Sequence, residues 1–297
     1  MRANSKQNGT ICSSIFPFLL LALLAPAIGS AWGDGGHMMV AQIAYENLNP
    51  TARTKVNALF ETNGTPGSTN EFIQASHWPD DVKHTPAFAS TADEHFVDFP
   101  FSPDHTPLPN LPKAVNVTNA LQKYVQVLKD SSASNEAQIV AAKFIIHLVG
   151  DVHQPLHCAT RVTQDHPQGD QGGNAFPIHD PNKELHSLWD GGLHQFPKEL
   201  PGFQPPPVEE VFAAVGTLKT NFSFDTEKAN TAKSGLNYGA WAQESFGFAR
   251  TNAYVGIAEN GKPDSAYLQN LQLAQRRVIW AGFRLAALLN SIWPETQ

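Results

Sequence analysis

Cysteine is almost absent. The 297 residues hold two, Cys12 and Cys158, and if the first leaves with an N-terminal leader, no disulfide can form within the remaining chain. Stability then has to come from an apolar core or from bound metal. Basic charge is also scarce: 20 lysines and arginines face 27 acidic residues, for a formal net charge of −7. That balance excludes a protein that grips nucleic acid with a broad basic surface. An anionic substrate would need bound cations to attract it. No apolar run after the N-terminal segment approaches the ~20 residues of a membrane-spanning helix, and no linker, repeat or low-complexity tract divides the chain.

Residues 1–31 read as a secretory signal peptide. Arg2 and Lys6 precede an apolar stretch from Ile15 to Ala27, which ends in the small residues Gly29, Ser30 and Ala31. Pro17 and Pro26 break that stretch and argue against a membrane anchor. Cleavage after Ala31 would leave residues 32–297 as one domain, long enough to bury a substantial core. The mature protein is expected to be secreted or periplasmic, monomeric and free of the membrane. Loss of Arg2 and Lys6 would make it more acidic still.

Apolar residues recur at helical spacing, whereas period-two alternation bounded by turn signals is rare, so the expected fold class is all-α. Candidate helices cover about 36–48, 50–60, 70–76, 111–128, 136–149, 208–218, 226–254 and 264–293, the last two long enough to be interrupted. Pro50 stands at a tolerated first-turn position. The Gly-, Pro-, Asp- and Gln-rich stretch from Thr163 to Asn174 reads as a long surface loop, followed by a short hairpin.

The chemistry is carried by histidines placed near aspartates. His147 and Asp151 stand four apart, as do His186 and Asp190, so on a helix each pair shares a face and can hold one ion. A single pair of this kind is commonly an ordinary helix-face hydrogen bond. Two pairs, together with His157 in Gln154-Pro155-Leu156-His157 and His95 in Asp93-Glu94-His95-Phe96-Val97-Asp98, point to a metal centre. Imidazole and carboxylate ligands without thiolate suit hydrolytic zinc better than a structural zinc finger. His77, His84, His105, His153, His166, His179 and His194 are expected to be solvated or hydrogen-bonded, and an offset of two from Asp151 turns His153 away from that face.

Taken in order, these residues resemble the trinuclear zinc nucleases of the S1/P1 type, which prefer single strands and share a fold with zinc-dependent phospholipase C. Trp32-Gly33-Asp34-Gly35-Gly36-His37 is similar to the family's opening Trp-Gly-x-x-Gly-His. Ser76-His77-Trp78-Pro79-Asp80, His95-Phe96-Val97-Asp98, the run from His147 to His157, Gly172-Gly173-Asn174 and Leu185-His186-Ser187-Leu188-Trp189-Asp190 follow in the family's sequence. The motifs cover Trp32 to Asp190, and the C-terminal third matches only as helical packing.

The resemblance implies a single helical domain of the phospholipase C/nuclease type and three zinc ions. Asp80, His95, His147 and Asp151 would hold one, His157, His186 and Asp190 a second. The α-amino nitrogen and carbonyl oxygen of Trp32 would hold the third, with His37 and a shared Asp151. Lys83 would neutralise transition-state charge and Asp98 would orient the attacking water. Phe96 would stack on a base, and Gly172 and Asn174 would contact its edge; Phe96 could equally be a core aromatic beside a metal ligand. The implied reaction is endonucleolytic hydrolysis of single-stranded RNA and DNA to products with 5′ phosphates, with 3′-nucleotidase activity on nucleotides. Two alternatives remain from residues alone: a zinc phospholipase C, whose second-zinc histidines stand closer together and are followed by glutamate, and a non-catalytic exported zinc-binding protein.

Overall fold

The computed structural model describes residues 32–61, 64–202 and 204–295; the expected signal peptide lies outside them. Among the described residues the chain is built from α1 (Asp34–Glu46), α2 (Pro50–Leu59), α3 (Thr69–Gln74), α4 (Trp78–Val82), α5 (Val117–Lys129), α6 (Asn135–Asp151), α7 (Leu185–Asp190), α8 (Val208–Asn221), α9 (Phe224–Ala232), α10 (Tyr238–Phe248) and α11 (Leu271–Ile292). Short 3-10 turns at Ala89–His95 and Pro155–Cys158 matter for the site. The fold is all-α, with one small parallel pair between β1 (Pro100–Phe101) and β2 (Thr160–Arg161).

Local chemistry sets the helix starts. Asn49 caps α2 through the Ala52 amide, with Pro50 at the first turn, and Ser68 with Glu71 forms a capping box on α3. The helix expected from residue 111 begins only at Val117. Pro112 disfavours helical backbone at the residue before it, and Asn116 caps α5 by accepting from the Thr118 and Asn119 amides. The stretch expected as 226–254 divides into α9 and α10, with Asn237 restarting the second part by accepting from the Ala240 amide. The expected hairpin exists as one antiparallel bridge, Pro177 to Glu184, with the Ile178 amide donating to the Lys183 carbonyl.

Helix α1 is buried on nearly every side, from Asp34 to Tyr45, as a helix at the centre of a bundle must be. It packs on α11, α3, α8 and α6, while α5 lays its apolar stripe along α6. The buried half of α6, from Ala141 to Asp151, brings His147 and Asp151 into this core facing α1. No helix among the described residues is long and apolar enough to cross a membrane.

Candidate metal centre

Four elements deliver five of the predicted ligands to one buried place. Helix α6 carries His147 and Asp151, and α1 carries His37, whose ring stacks on His147 with centroids 3.9 Å apart. This approach needs Gly150, because a Cβ there would lie 2.6 Å from His37 Nδ1. Asp80 comes from α4 and His95 from the end of a 3-10 turn. The backbone then links His95 to the next ligand: the Val97 amide donates to the His157 carbonyl, and the β1–β2 ladder continues that alignment.

Three groups of side chains have ligand atoms within 4.8 Å of one another: His37, Asp80 and His147; His95, His147 and Asp151; and His157, His186 and Asp190. Asp151 lies between partners on both sides. Its Oδ2 is 3.1 Å from His95 Nδ1 and 3.2 Å from His147 Nε2, while its Oδ1 faces His37 Nε2 at 3.4 Å. Lys83, almost wholly buried, places Nζ 2.7 Å from Asp80 Oδ1.

Hydrogen bonds leave the ligand atoms pointing inward. His147 Nδ1 donates to the Ser76 carbonyl at 2.7 Å, His157 Nδ1 to the His95 carbonyl at 2.8 Å, and His186 Nδ1 to the Gly172 carbonyl at 2.7 Å. Each carbonyl fixes a proton on Nδ1, so in the neutral rings of His157 and His186 the Nε2 lone pairs face each other, 3.1 Å apart. Two lone pairs at that distance repel unless a cation lies between them. Both oxygens of Asp151, Asp80 Oδ2, His95 Nε2 and both nitrogens of His37 are buried without a hydrogen-bond partner, which is costly in a protein interior and is relieved by coordination. The residues therefore fit a multi-cation centre.

Charge follows the same logic. Burial opposes the charge on Asp151, yet the neighbouring imidazoles, His147 foremost and then His37 and His95, hold its carboxyl well below the usual range. Burial likewise disfavours a charged His147, but Asp151 and Asp80 lift its pKa to about 9. Burial and the charge of His147 push His37 down to about 4. At Asp190 burial dominates and raises the carboxyl well above its ordinary value, with Gln154 opposing. Cation binding at such groups displaces protons and compensates the desolvated carboxylates.

The remaining predicted residues flank this centre. Trp32 is fully buried beneath Phe196, with ring centroids 5.5 Å apart, and the Gly33 amide donates to the Asp190 carbonyl at 3.0 Å. Phe96 is half-buried and stands apart from the main apolar cluster. Asp98 is half-buried; burial, with Asp170 and Asp93 and against Lys113, raises its pKa to about 6. Gly172 gives its carbonyl to His186, and Asn174 keeps a buried Oδ1 without a partner while its amide nitrogen donates to the Gln171 carbonyl. His153 points away from the centre, as its offset requires. Burial, with Arg277 and Arg284 nearby, holds its pKa well below the usual range, and its Nε2 accepts from Arg284. The carbonyls of Ser76, His95 and Gly172 that orient the ligand rings carry no sequence signal, since any residue could supply them.

A helical fold with buried His/Asp clusters that could hold metal is the frame of a metal-dependent hydrolase. The chain belongs to the S1/P1 nuclease family, whose sequence pattern matches residues 32–294, and it is accordingly a hydrolytic endonuclease of a zinc-dependent kind. Its relatives include endonuclease 3 of Arabidopsis thaliana, 30% identical over 88% of this chain and 89% of the relative. Nuclease S1 of Aspergillus oryzae is 24% identical over 94% of this chain and 97% of its own. Nuclease P1 of Penicillium citrinum is 28% identical over 55% of this chain and 58% of its own.

Proposed function

We propose that this endonuclease cleaves single-stranded RNA and DNA at a three-zinc centre, leaving 5′ phosphates, and acts on 3′-nucleotides at the same site. The observation that carries the reading is the bridging position of Asp151, with one oxygen toward His95 and His147 and the other toward His37. Asp80, His95, His147 and Asp151 would hold one ion, His157, His186 and Asp190 another, and Trp32 with His37 and Asp151 the third. Zinc held by these residues would lower the pKa of bound water toward about 7 and offset phosphate charge, which an acidic chain cannot do by itself.

The protein's own groups supply positioning. Lys83, buried against Asp80, would meet charge developing on phosphate oxygens. Asp98, half-buried, would orient the attacking water. Phe96 offers a ring face on which any unstacked base can lie, and Gly172 with Asn174 would contact the base edge through backbone and amide groups. Single-strand preference follows, because a base inside a duplex cannot reach that ring. An exported, monomeric protein of residues 32–297, formed by signal cleavage, completes the reading.

The test is hydrolysis of single-stranded RNA, single-stranded DNA, duplex DNA, a 3′-nucleotide and a phosphocholine lipid by purified protein, with and without chelator and with zinc restored. Chelator-sensitive turnover of the single strands and the 3′-nucleotide is expected. Turnover of the lipid alone would replace this reading with a phospholipase.

Two substitutions separate chemistry from binding. Lys83→Ala is expected to lower kcat by about 10²- to 10³-fold, as loss of a charge-stabilising donor does, while zinc content stays near that of the unsubstituted protein. A parallel fall in zinc would make Lys83 a support for Asp80, its partner at 2.7 Å. Phe96→Ala should weaken single-strand binding by about 1–3 kcal/mol if the ring stacks on a base. Unchanged affinity with a lower Tm would mark the ring as packing alone.

A further inference from the structure

The second ligand group, His157, His186 and Asp190, is assembled from two short elements far apart in sequence. His157 lies on the 3-10 turn Pro155–Cys158, and His186 and Asp190 lie on the six-residue helix α7. Neither element is long enough to hold a fixed orientation by its own hydrogen bonds. One fully buried side chain spans both. Gln154 Nε2 donates to Asp190 Oδ1 at 2.7 Å, and Gln154 Oε1 accepts from the Leu156 amide at 2.6 Å.

The two contacts define each other. Because the Leu156 amide can only donate, the side-chain oxygen of Gln154 must face it, and the nitrogen must face Asp190. The donated bond occupies Oδ1 of the carboxylate, leaving Oδ2 directed at the metal pocket, 3.5 Å from His186 Nε2. Gln154 is itself anchored from behind. Arg277 on α11 donates from Nε to the carbonyl of His153 at 2.9 Å, and Ser245 on α10 donates to the carbonyl of Val152. The turn that presents Gln154 is therefore pinned to the two C-terminal helices α10 and α11.

We infer that Gln154 is a positioning residue for the second zinc, fixing the Asp190 carboxylate by a neutral hydrogen bond while holding the His157 turn in place. An amide suits this position because it donates without carrying a charge that would compete with the cation, and hydrogen bonds to ligating carboxylates orient them. A carboxylate in its place would set like charge against Asp190. The inference rests on the metal centre proposed above.

Gln154→Glu separates the two contacts, since it retains an oxygen for the Leu156 amide and loses the donor to Asp190; Gln154→Met removes both. Each purified variant would be equilibrated with graded chelator and its retained zinc measured, alongside the Tm of the metal-free protein. Both variants are expected to hold one zinc about 10- to 100-fold more weakly, the usual effect of losing a partner behind a metal ligand. The other ions should be retained, and the metal-free Gln154→Glu protein should still unfold cooperatively. Zinc retention by Gln154→Glu equal to that of the unsubstituted protein would overturn the inference, leaving Gln154 as a cap on the turn. Loss of all zinc with a collapse of the metal-free Tm would overturn it too, by showing a general structural role. His186→Ala serves as the control: if it retains every ion, the metal-centre reading itself fails, whereas loss of one ion there but none in Gln154→Glu defeats only the role of Gln154.

Discussion

Asp151→Asn is expected to cost at least about 10³-fold in kcat/KM, more than any other single aspartate substitution and beyond the 10²- to 10³-fold typical of one lost electrostatic contact. The side chain is fully buried, and its two oxygens face different partners: His95 and His147 on one side and His37 on the other. An amide keeps the shape and removes the charge, so two coordination positions weaken together. The nitrogen of the new side chain would also point N–H at an imidazole that needs its lone pair for metal. Metal analysis on the purified variant should show zinc falling by more than one ion per chain. Near-normal turnover with full zinc would dismiss the shared-carboxylate arrangement and with it the three-ion reading.

An uncleaved leader, or even a short extension ahead of Trp32, is expected to leave a protein that binds about two zinc ions firmly and hydrolyses nucleic acid poorly. The nitrogen of an internal peptide bond is delocalised and does not coordinate zinc at neutral pH, whereas a free α-amine does. Trp32 is held firmly at the start of α1. Its ring is buried against Phe196, Gly36 makes room for it because a Cβ there would lie 2.6 Å from the Trp32 Cβ, and the Gly33 carbonyl accepts from the Gly36 and His37 amides. Zinc content and nuclease rate, compared between a chain beginning at Trp32 and one extended by a few residues, decide the point, with both termini checked by mass spectrometry. Equal zinc and equal rates would remove Trp32 from the ligands and leave a two-metal phosphoesterase. If the expected difference appears, export and activation are coupled, and the producing cell's own RNA is spared until the leader is cut.

The sequence by itself determined the class of fold, the ligand chemistry and most of the candidate site. Helical periodicity is a local property, so α1, α2, α6 and α8 were legible within a few residues of their ends. The pairs His147 with Asp151 and His186 with Asp190 were legible because a four-residue spacing fixes a shared helix face. What lay beyond local reading was decided by contacts between distant segments. The short helices α4 and α7 hold too few residues to show a period, and their stability comes from packing rather than propensity. The delayed start of α5 at Val117 and the break between α9 and α10 depended on caps at Asn116 and Asn237, each competing with a continuous apolar pattern. Only the tertiary structure placed the two oxygens of Asp151 on opposite sides, aimed the His157 and His186 lone pairs at one another and put Gln154 against Asp190. Those arrangements depend on carbonyls from Ser76, His95 and Gly172 and on the anchoring of residues 152–154 by α10 and α11. A sequence specifies which groups can bind a cation, but the direction of a lone pair is set by whatever the rest of the fold brings against the other side of the ring.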